Sequence, residues 1–159
     1  MRYYDGISKG YGELHGREQL SKARIVAGLL DLQKDGLLLD VGCGDASYFG
    51  LFDCVKVGLD PSFELLKKAK DGFFVQGVAE ALPFLDECFD AVVSITAVHN
   101  FEDLEKGLQE MHRVAKDRVV VSVLRQSERF TETVRLIQEL FVVEREIAEA
   151  KDVVFVLRK

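Results

Sequence analysis

The stretch from Leu37 to Asp60 constrains this chain more than any other. An apolar run, Leu37-Leu38-Leu39-Asp40-Val41, meets the turn Gly42-Cys43-Gly44-Asp45-Ala46-Ser47, and a later run, Val57-Gly58-Leu59, ends at Asp60. A short apolar run that enters a glycine turn predicts a parallel strand buried on both faces. Glycine at 42 and 44 lets the backbone approach a ligand where a side chain would intervene. An acid about 20 residues past the first strand stands where a ribose-binding carboxylate is expected. The stretch therefore predicts a nucleotide-like cofactor at the ends of two adjacent parallel strands.

The remainder of the chain supplies the sheet around those strands. Leu20, Ala23, Val26, Ala27 and Leu30 recur at helical spacing and predict a helix over 17–34, stopped by Asp35-Gly36. Ahead of it, residues 1–16 carry Tyr3, Tyr4, Tyr11, His15 and glycines 6, 10, 12 and 16, which reads as a segment that is not helical throughout. After strand 37–41 the pattern gives a short helix over about 46–53, then strand 54–59 ending at Asp60. Pro61-Ser62 opens a helix that buries Leu65, Leu66 and Ala69 and stops at Asp71-Gly72. Strand 73–76, a mixed segment 77–89 interrupted by Pro83, and strand 89–95 come next. A helix over about 102–115, strand 119–123, and a helix capped by Ser127 with Phe130, Val134 and Ile137 complete the alternation. Strands 141–147 and 152–158 are joined by too short a link for a crossover helix, so they predict an antiparallel hairpin.

Repeated strand–helix alternation predicts an α/β fold with a doubly wound, mostly parallel seven-stranded sheet. A chain of 159 residues without repeats or linkers is one domain, 1–159, with residues 1–35 as an N-terminal cap or lid. The three cysteines (43, 54, 88) are an odd set that reads as reduced thiols in a cytoplasm. No apolar run approaches a membrane span. A net charge of −6 argues against a strongly basic, self-sufficient nucleic-acid grip.

Four blocks carry a family resemblance. Asp40-Val41-Gly42-Cys43-Gly44 resembles the acid-x-Gly-x-Gly motif of class I, Rossmann-like S-adenosylmethionine-dependent methyltransferases, and Gly58-Leu59-Asp60-Pro61-Ser62 resembles their ribose-binding block. Gly77-Val78-Ala79-Glu80-Ala81-Leu82-Pro83-Phe84 and Phe89-Asp90-Ala91-Val92-Val93-Ser94 resemble the next two. The match covers about residues 36–115 and is similar to the small type 11, ubiquinone-pathway-like members. It implies the terminal hairpin and S-adenosyl-L-methionine as cofactor, leaving S-adenosyl-L-homocysteine.

The resemblance also implies roles. Gly42, Cys43 and Gly44 pass against the methionine part and ribose, Asp40 holds the ammonium, and Asp60 with Pro61 holds the ribose hydroxyls. Val78, Ala79 and Glu80 line the adenine, and Ser94 and Ile95 offer carbonyls to the ammonium. Position 78 is Val where many relatives carry an acid; either Glu80 takes over that hydrogen bond or Val78 is one more apolar wall, the simpler reading. Ala46 replaces a common third glycine. No metal ligand set is expected.

Methyl transfer from a sulfonium is a direct displacement, so alignment is the protein's main task. Candidates for a base are His99 and Tyr11, with Thr96 and Asn100 nearby; Cys43 reads as a turn residue, and Lys67, Lys68 and Lys70 as a solvated face. Ser94-Ile95-Thr96-Ala97 is not the motif that many amino-group methyltransferases use, which leaves hydroxyl, carboxylate, thiol and carbon acceptors. Ser94-Ile95-Thr96-Ala97-Val98-His99-Asn100 is also similar to tRNA wobble-uridine carboxymethyl methyltransferases, which work with a small activator protein. The acceptor is thus a small molecule or tRNA, with an activator protein or a second copy as partner. A non-catalytic cofactor-binding or scaffold subunit is the remaining alternative.

Overall fold

The computed structural model describes residues 9–159, with side chains from Leu14 onward. Helix α1 (Lys9–Leu29) leads into β1 (Leu37–Val41), β2 (Val55–Asp60), the single turn α2 (Phe63–Leu66), β3 (Phe73–Gln76) and β4 (Phe89–Ile95). Helix α3 (Leu104–Val114), β5 (Ala115–Leu124), α4 (Phe130–Leu140), β6 (Val142–Ala148) and β7 (Asp152–Arg158) follow. One seven-stranded sheet has the order β3-β2-β1-β4-β5-β7-β6. Strands β1 to β5 pair in parallel, while β7 lies antiparallel between β5 and β6. The doubly wound sheet and its closing hairpin match the expectation.

Each face of the sheet has its own core, as a parallel sheet requires. Residues 38 and 39 divide them: Leu39 joins α3 and α4 through Leu108, Met111 and Ile137, and Leu38 joins α1 through Ala23 and Val26. Helix α3 begins where Asp103 Oδ1 accepts from Lys106 N at 3.0 Å, and Leu104, Leu108 and Met111 form its buried stripe. Its Gly107 is a packing site, since a Cβ there would lie 2.4 Å from Cδ2 of Phe101.

Four elements depart from the sequence reading. Helix α1 starts at Lys9, through Gly10, Gly12 and Gly16, and ends at Leu29 rather than 34. A glycine costs a helix about 0.5–1 kcal/mol, which the burial of Ala23, Val26 and Leu30 offsets. Beyond Leu30 the chain turns toward β1, with Gly36 N donating to Gln33 O at 2.9 Å. The helix expected over 46–53 is only a 3-10 turn, Phe49–Leu51. Helix α2 is four residues long and buries none of them; Leu65 is exposed, while Leu66 and Ala69 pack partly on the core. The N-cap of α4 is Arg129, whose N–H donates to Ser127 Oγ at 3.1 Å.

Candidate functional site

The strand order reverses between β1 and β4, so the chain leaves their carboxyl ends in opposite directions and opens a crevice there. The glycine turn after β1 forms one wall and the loop after β4 the other. They touch at Gly42, which has φ +81° and where a Cβ would come 2.6 Å from the Ala97 methyl. Both the left-handed backbone and the contact require glycine. Ser94 Oγ donates to Val41 O at 2.8 Å, stapling the two strand ends together.

Asp60 closes the turn from the β2 side. Its Oδ2 accepts from Gly44 N at 2.9 Å and its Oδ1 from Ser62 N at 2.8 Å. Each carboxylate oxygen has a further lone pair for a ligand hydroxyl. Gly44 has φ +58°, and Ala46, which stands where a third glycine is common, has φ +51°, so the turn carries a strained alanine. Cys43 is buried, and its thiol is pushed well above the usual range by burial, Asp40 and Asp60. It is no activated nucleophile.

Asp40, at 1% exposure, accepts a hydrogen bond at Oδ2 from the Tyr48 hydroxyl, while Oδ1 is buried with no partner. Burial is the main cause that raises its carboxyl to about 7; Tyr48 acts in the opposite direction and Asp60 adds to the rise. Tyr48 was missed in the sequence because the segment read as a helix, whose face could not be assigned to the site.

Val78 and Ala79 begin a 3-10 turn (Ala79–Ala81) beyond β3, whose first amides lack partners within the turn. Val78 is exposed and Ala79 buried. Glu80 lies in the same turn, and its Oε1 accepts from Asp103 N at 3.1 Å. The segment is held from behind by Arg113, which donates to the carbonyls of Leu82 (3.0 Å) and Phe84 (2.8 Å), while Glu110 accepts from Leu82 N at 2.9 Å. Neither residue was singled out from the sequence.

On the β4 side, Thr96 has φ +51°, unusual for a β-branched residue. Its N–H donates to Ser122 Oγ at 2.7 Å, and its hydroxyl donates to Asp152 Oδ2 at 2.7 Å and accepts from Lys22 Nζ at 3.0 Å. His99 lies half-buried in the next turn (Val98–Asn100), with Nδ1 buried and unpartnered. Burial first, then Lys22 and Arg129, lower its pKa, with Asp152 opposing them. Tyr11 lies in α1, but its side chain is outside the described residues. His112 packs tilted against Phe141, ring centroids 5.3 Å apart; Lys67 pairs with Glu64 at 2.9 Å on an exposed face.

A cleft of about 530 Å³ lies at the opposite ends of the strands, lined in part by Asp31, Gly36, Asp90 and Arg118. Parallel sheets bind at the carboxyl ends of their strands, so its size does not make it the site. Among the described residues, no helix is long and apolar enough to cross a membrane.

Comparison with known proteins agrees with this geometry. Residues 39–123, more than half of the chain, match the family model for a methyltransferase domain of type 11. Demethylmenaquinone methyltransferase of Thermotoga maritima is 33% identical over 129 residues, 73% of this chain and 56% of that protein. The tRNA (carboxymethyluridine(34)-5-O)-methyltransferase of Arabidopsis thaliana is 31% identical over 121 residues, 72% of this chain and 29% of that protein. A chain from the complex between the Haloferax volcanii Trm112 methyltransferase activator and its methyltransferase superposes with a TM-score of 0.81 at 16% identity, covering 94% of each chain. The chain spans about half the length, or less, of these curated relatives. With its matched segment running from β1 to β5 around the crevice, this chain belongs to the type 11 methyltransferase domain family.

Proposed function

We propose that the chain binds S-adenosylmethionine in the β1/β4 crevice and transfers its methyl group to an acceptor. The observation that carries this reading is the pair of acids flanking the glycine turn. Asp60 hooks Gly44 N at 2.9 Å with lone pairs to spare, and Asp40 keeps Oδ1 buried and unpartnered. A buried carboxylate oxygen without a donor is costly, so it fits a site made for an ammonium. Asp60 then takes the ribose hydroxyls, Val78 and Ala79 the adenine, and the carbonyls at Ser94 and Ile95 the amino-acid part.

When bound, the cofactor supplies an activated methyl group on a sulfonium. The chain supplies binding and alignment. Gly42 against Ala97 fixes the floor of the crevice, and the Thr96 network fixes the turn that carries His99. His99, held neutral by burial, is the candidate base for a protic acceptor. The test is calorimetry with S-adenosylmethionine, followed by labelled methyl transfer into RNA, protein and small-molecule fractions of a cell extract. Wild-type binding that Asp60→Ala abolishes, with label entering one fraction, supports the reading. No binding by the wild type overturns it, and binding without transfer to any fraction points to a scaffold subunit.

A second reading has its own observation. The α2–β3 edge of the sheet exposes Phe63, Leu65 and Phe73, the last at 68%. An open edge strand bearing large apolar side chains is a pairing surface. We infer that a small activator protein covers it, and that the acceptor is then the carboxylate of a modified wobble uridine in tRNA, as the name of the Arabidopsis relative suggests. Label entering undermodified tRNA only in the presence of such an activator supports this; transfer to a small molecule by the chain alone overturns it.

A further inference from the structure

The two oxygens of Asp40 are treated differently by the fold. Oδ2 takes the Tyr48 hydroxyl and Oδ1 takes nothing, although Asp40 is 1% exposed. Tyr48 is also buried, with its ring edge-on to Phe49 at 5.9 Å and Phe52 at 6.5 Å. Burial and the neighbouring carboxylate push its phenol well above the usual tyrosine range, so it is a permanent donor. The ionisable groups that act on Asp40, Cys43 and Tyr48 are Asp60 from β2, Asp45 from the glycine turn, and one another. Every one of them is acidic or neutral. A buried, half-satisfied carboxylate in such company lacks a cation that none of the described residues provides.

We propose that Tyr48 is a positioning residue that holds Asp40 by one oxygen, so that the other receives the α-ammonium of S-adenosylmethionine only while Asp40 is ionised. This rests on the cofactor reading above. The same buried Oδ1 cannot hold both a proton and an ammonium, so binding expels the proton that Asp40 carries in part at neutral pH. Affinity therefore rises with pH from about 5.5 to about 7, below the range of about 7.7–8.0 in which an α-amino group loses its own proton. Tyr48 favours the ionised carboxylate, so its removal moves that rise to higher pH.

The experiment titrates wild type, Tyr48→Phe and Asp40→Asn by calorimetry across that pH range with two ligands. One is S-adenosylmethionine; the other is 5′-methylthioadenosine, which keeps the nucleoside and sulfur but has no amino-acid group. The wild type should gain roughly tenfold in S-adenosylmethionine affinity over the range, with 5′-methylthioadenosine unchanged. Tyr48→Phe should bind S-adenosylmethionine about tenfold more weakly near pH 6.5, with its rise displaced upward, and bind the nucleoside normally, which also shows that the variant is folded. Asp40→Asn should be weak and flat with pH. A Tyr48→Phe profile that superimposes on the wild type overturns the proposal, as does an equal loss of both ligands. Failure of the wild type to bind either ligand overturns the cofactor reading, and the proposal with it.

Discussion

Lys22 Nζ lies 2.9 Å from Asp152 Oδ1, joining α1 to the first residue of β7 across the whole sequence. Thr96 Oγ1 sits between them, bonded to both, so the pair also fixes the turn after β4. Lys151, next in the chain, reaches Glu18 at 2.7 Å one turn earlier in α1. Helix α1 is thus anchored to the hairpin tip.

Asp152 is fully buried and Lys22 nearly so, and removing one partner leaves the other charged in a dry site. Lys22→Met should destabilise the fold by about 3 kcal/mol, the usual scale for breaking a buried pair. Adding Asp152→Asn should restore part of that loss. Urea denaturation of the two single variants and the double variant gives the coupling. Additive effects would show that the pair is not the anchor.

Gly42→Ala should lose measurable cofactor binding, because φ +81° and the Ala97 methyl 2.6 Å away leave a Cβ no place. Gly50→Ala is the control, since a Cβ there meets nothing within 4 Å. It should keep wild-type binding and change stability by less than about 1 kcal/mol. Calorimetry and thermal unfolding of both variants make the comparison.

Asp40 should make the ligand-free protein less stable than it could be. Its carboxyl is raised to about 7 in the fold, so the folded state holds a proton that the unfolded chain releases near pH 4. The stability it contributes is present in acid and is lost as pH rises toward about 7. Asp40→Asn removes that loss, so the variant should melt above the wild type at pH 8 and close to it at pH 4. Binding of S-adenosylmethionine should fall at the same time, a trade of stability for function. A melting difference independent of pH would contradict this.

The frame of this site was legible in the sequence because it is local. A strand, a glycine turn and an acid at the next strand end form a short, ordered signal, and Asp40, Gly42, Gly44 and Asp60 all converge where that signal places them. The supporting residues were not legible. Tyr48 and Arg113 reach the site by the side-chain direction of a turn or helix, and Lys22 and Asp152 meet only after the whole sheet is built. The start of α1 was misread because tertiary packing of its later turns carries a helix through glycines that local propensity disfavours. The length of α2 was overestimated because Leu65, apolar at helical spacing, faces solvent.

His99 supplies the last prediction. Burial lowers its pKa, the Lys22 and Arg129 charges add to that, and Asp152 only partly compensates. The imidazole is therefore neutral at pH 7, with Nδ1 enclosed and unpartnered. Because the unfolded chain takes up the proton first, the fold loses stability as pH falls through about 6.5, the ordinary histidine value. His99→Asn should flatten the fall in stability between about pH 7.5 and 5, a slope to which His112, also lowered by burial, contributes separately. An NMR titration of the imidazole carbon-bound protons should place the His99 midpoint below about 6.5, the ordinary histidine value. If His99 also accepts a proton from the methyl acceptor, His99→Asn should slow transfer by about 10²-fold or more while leaving S-adenosylmethionine affinity unchanged. Full activity in that variant would assign the residue to the structure of the loop alone.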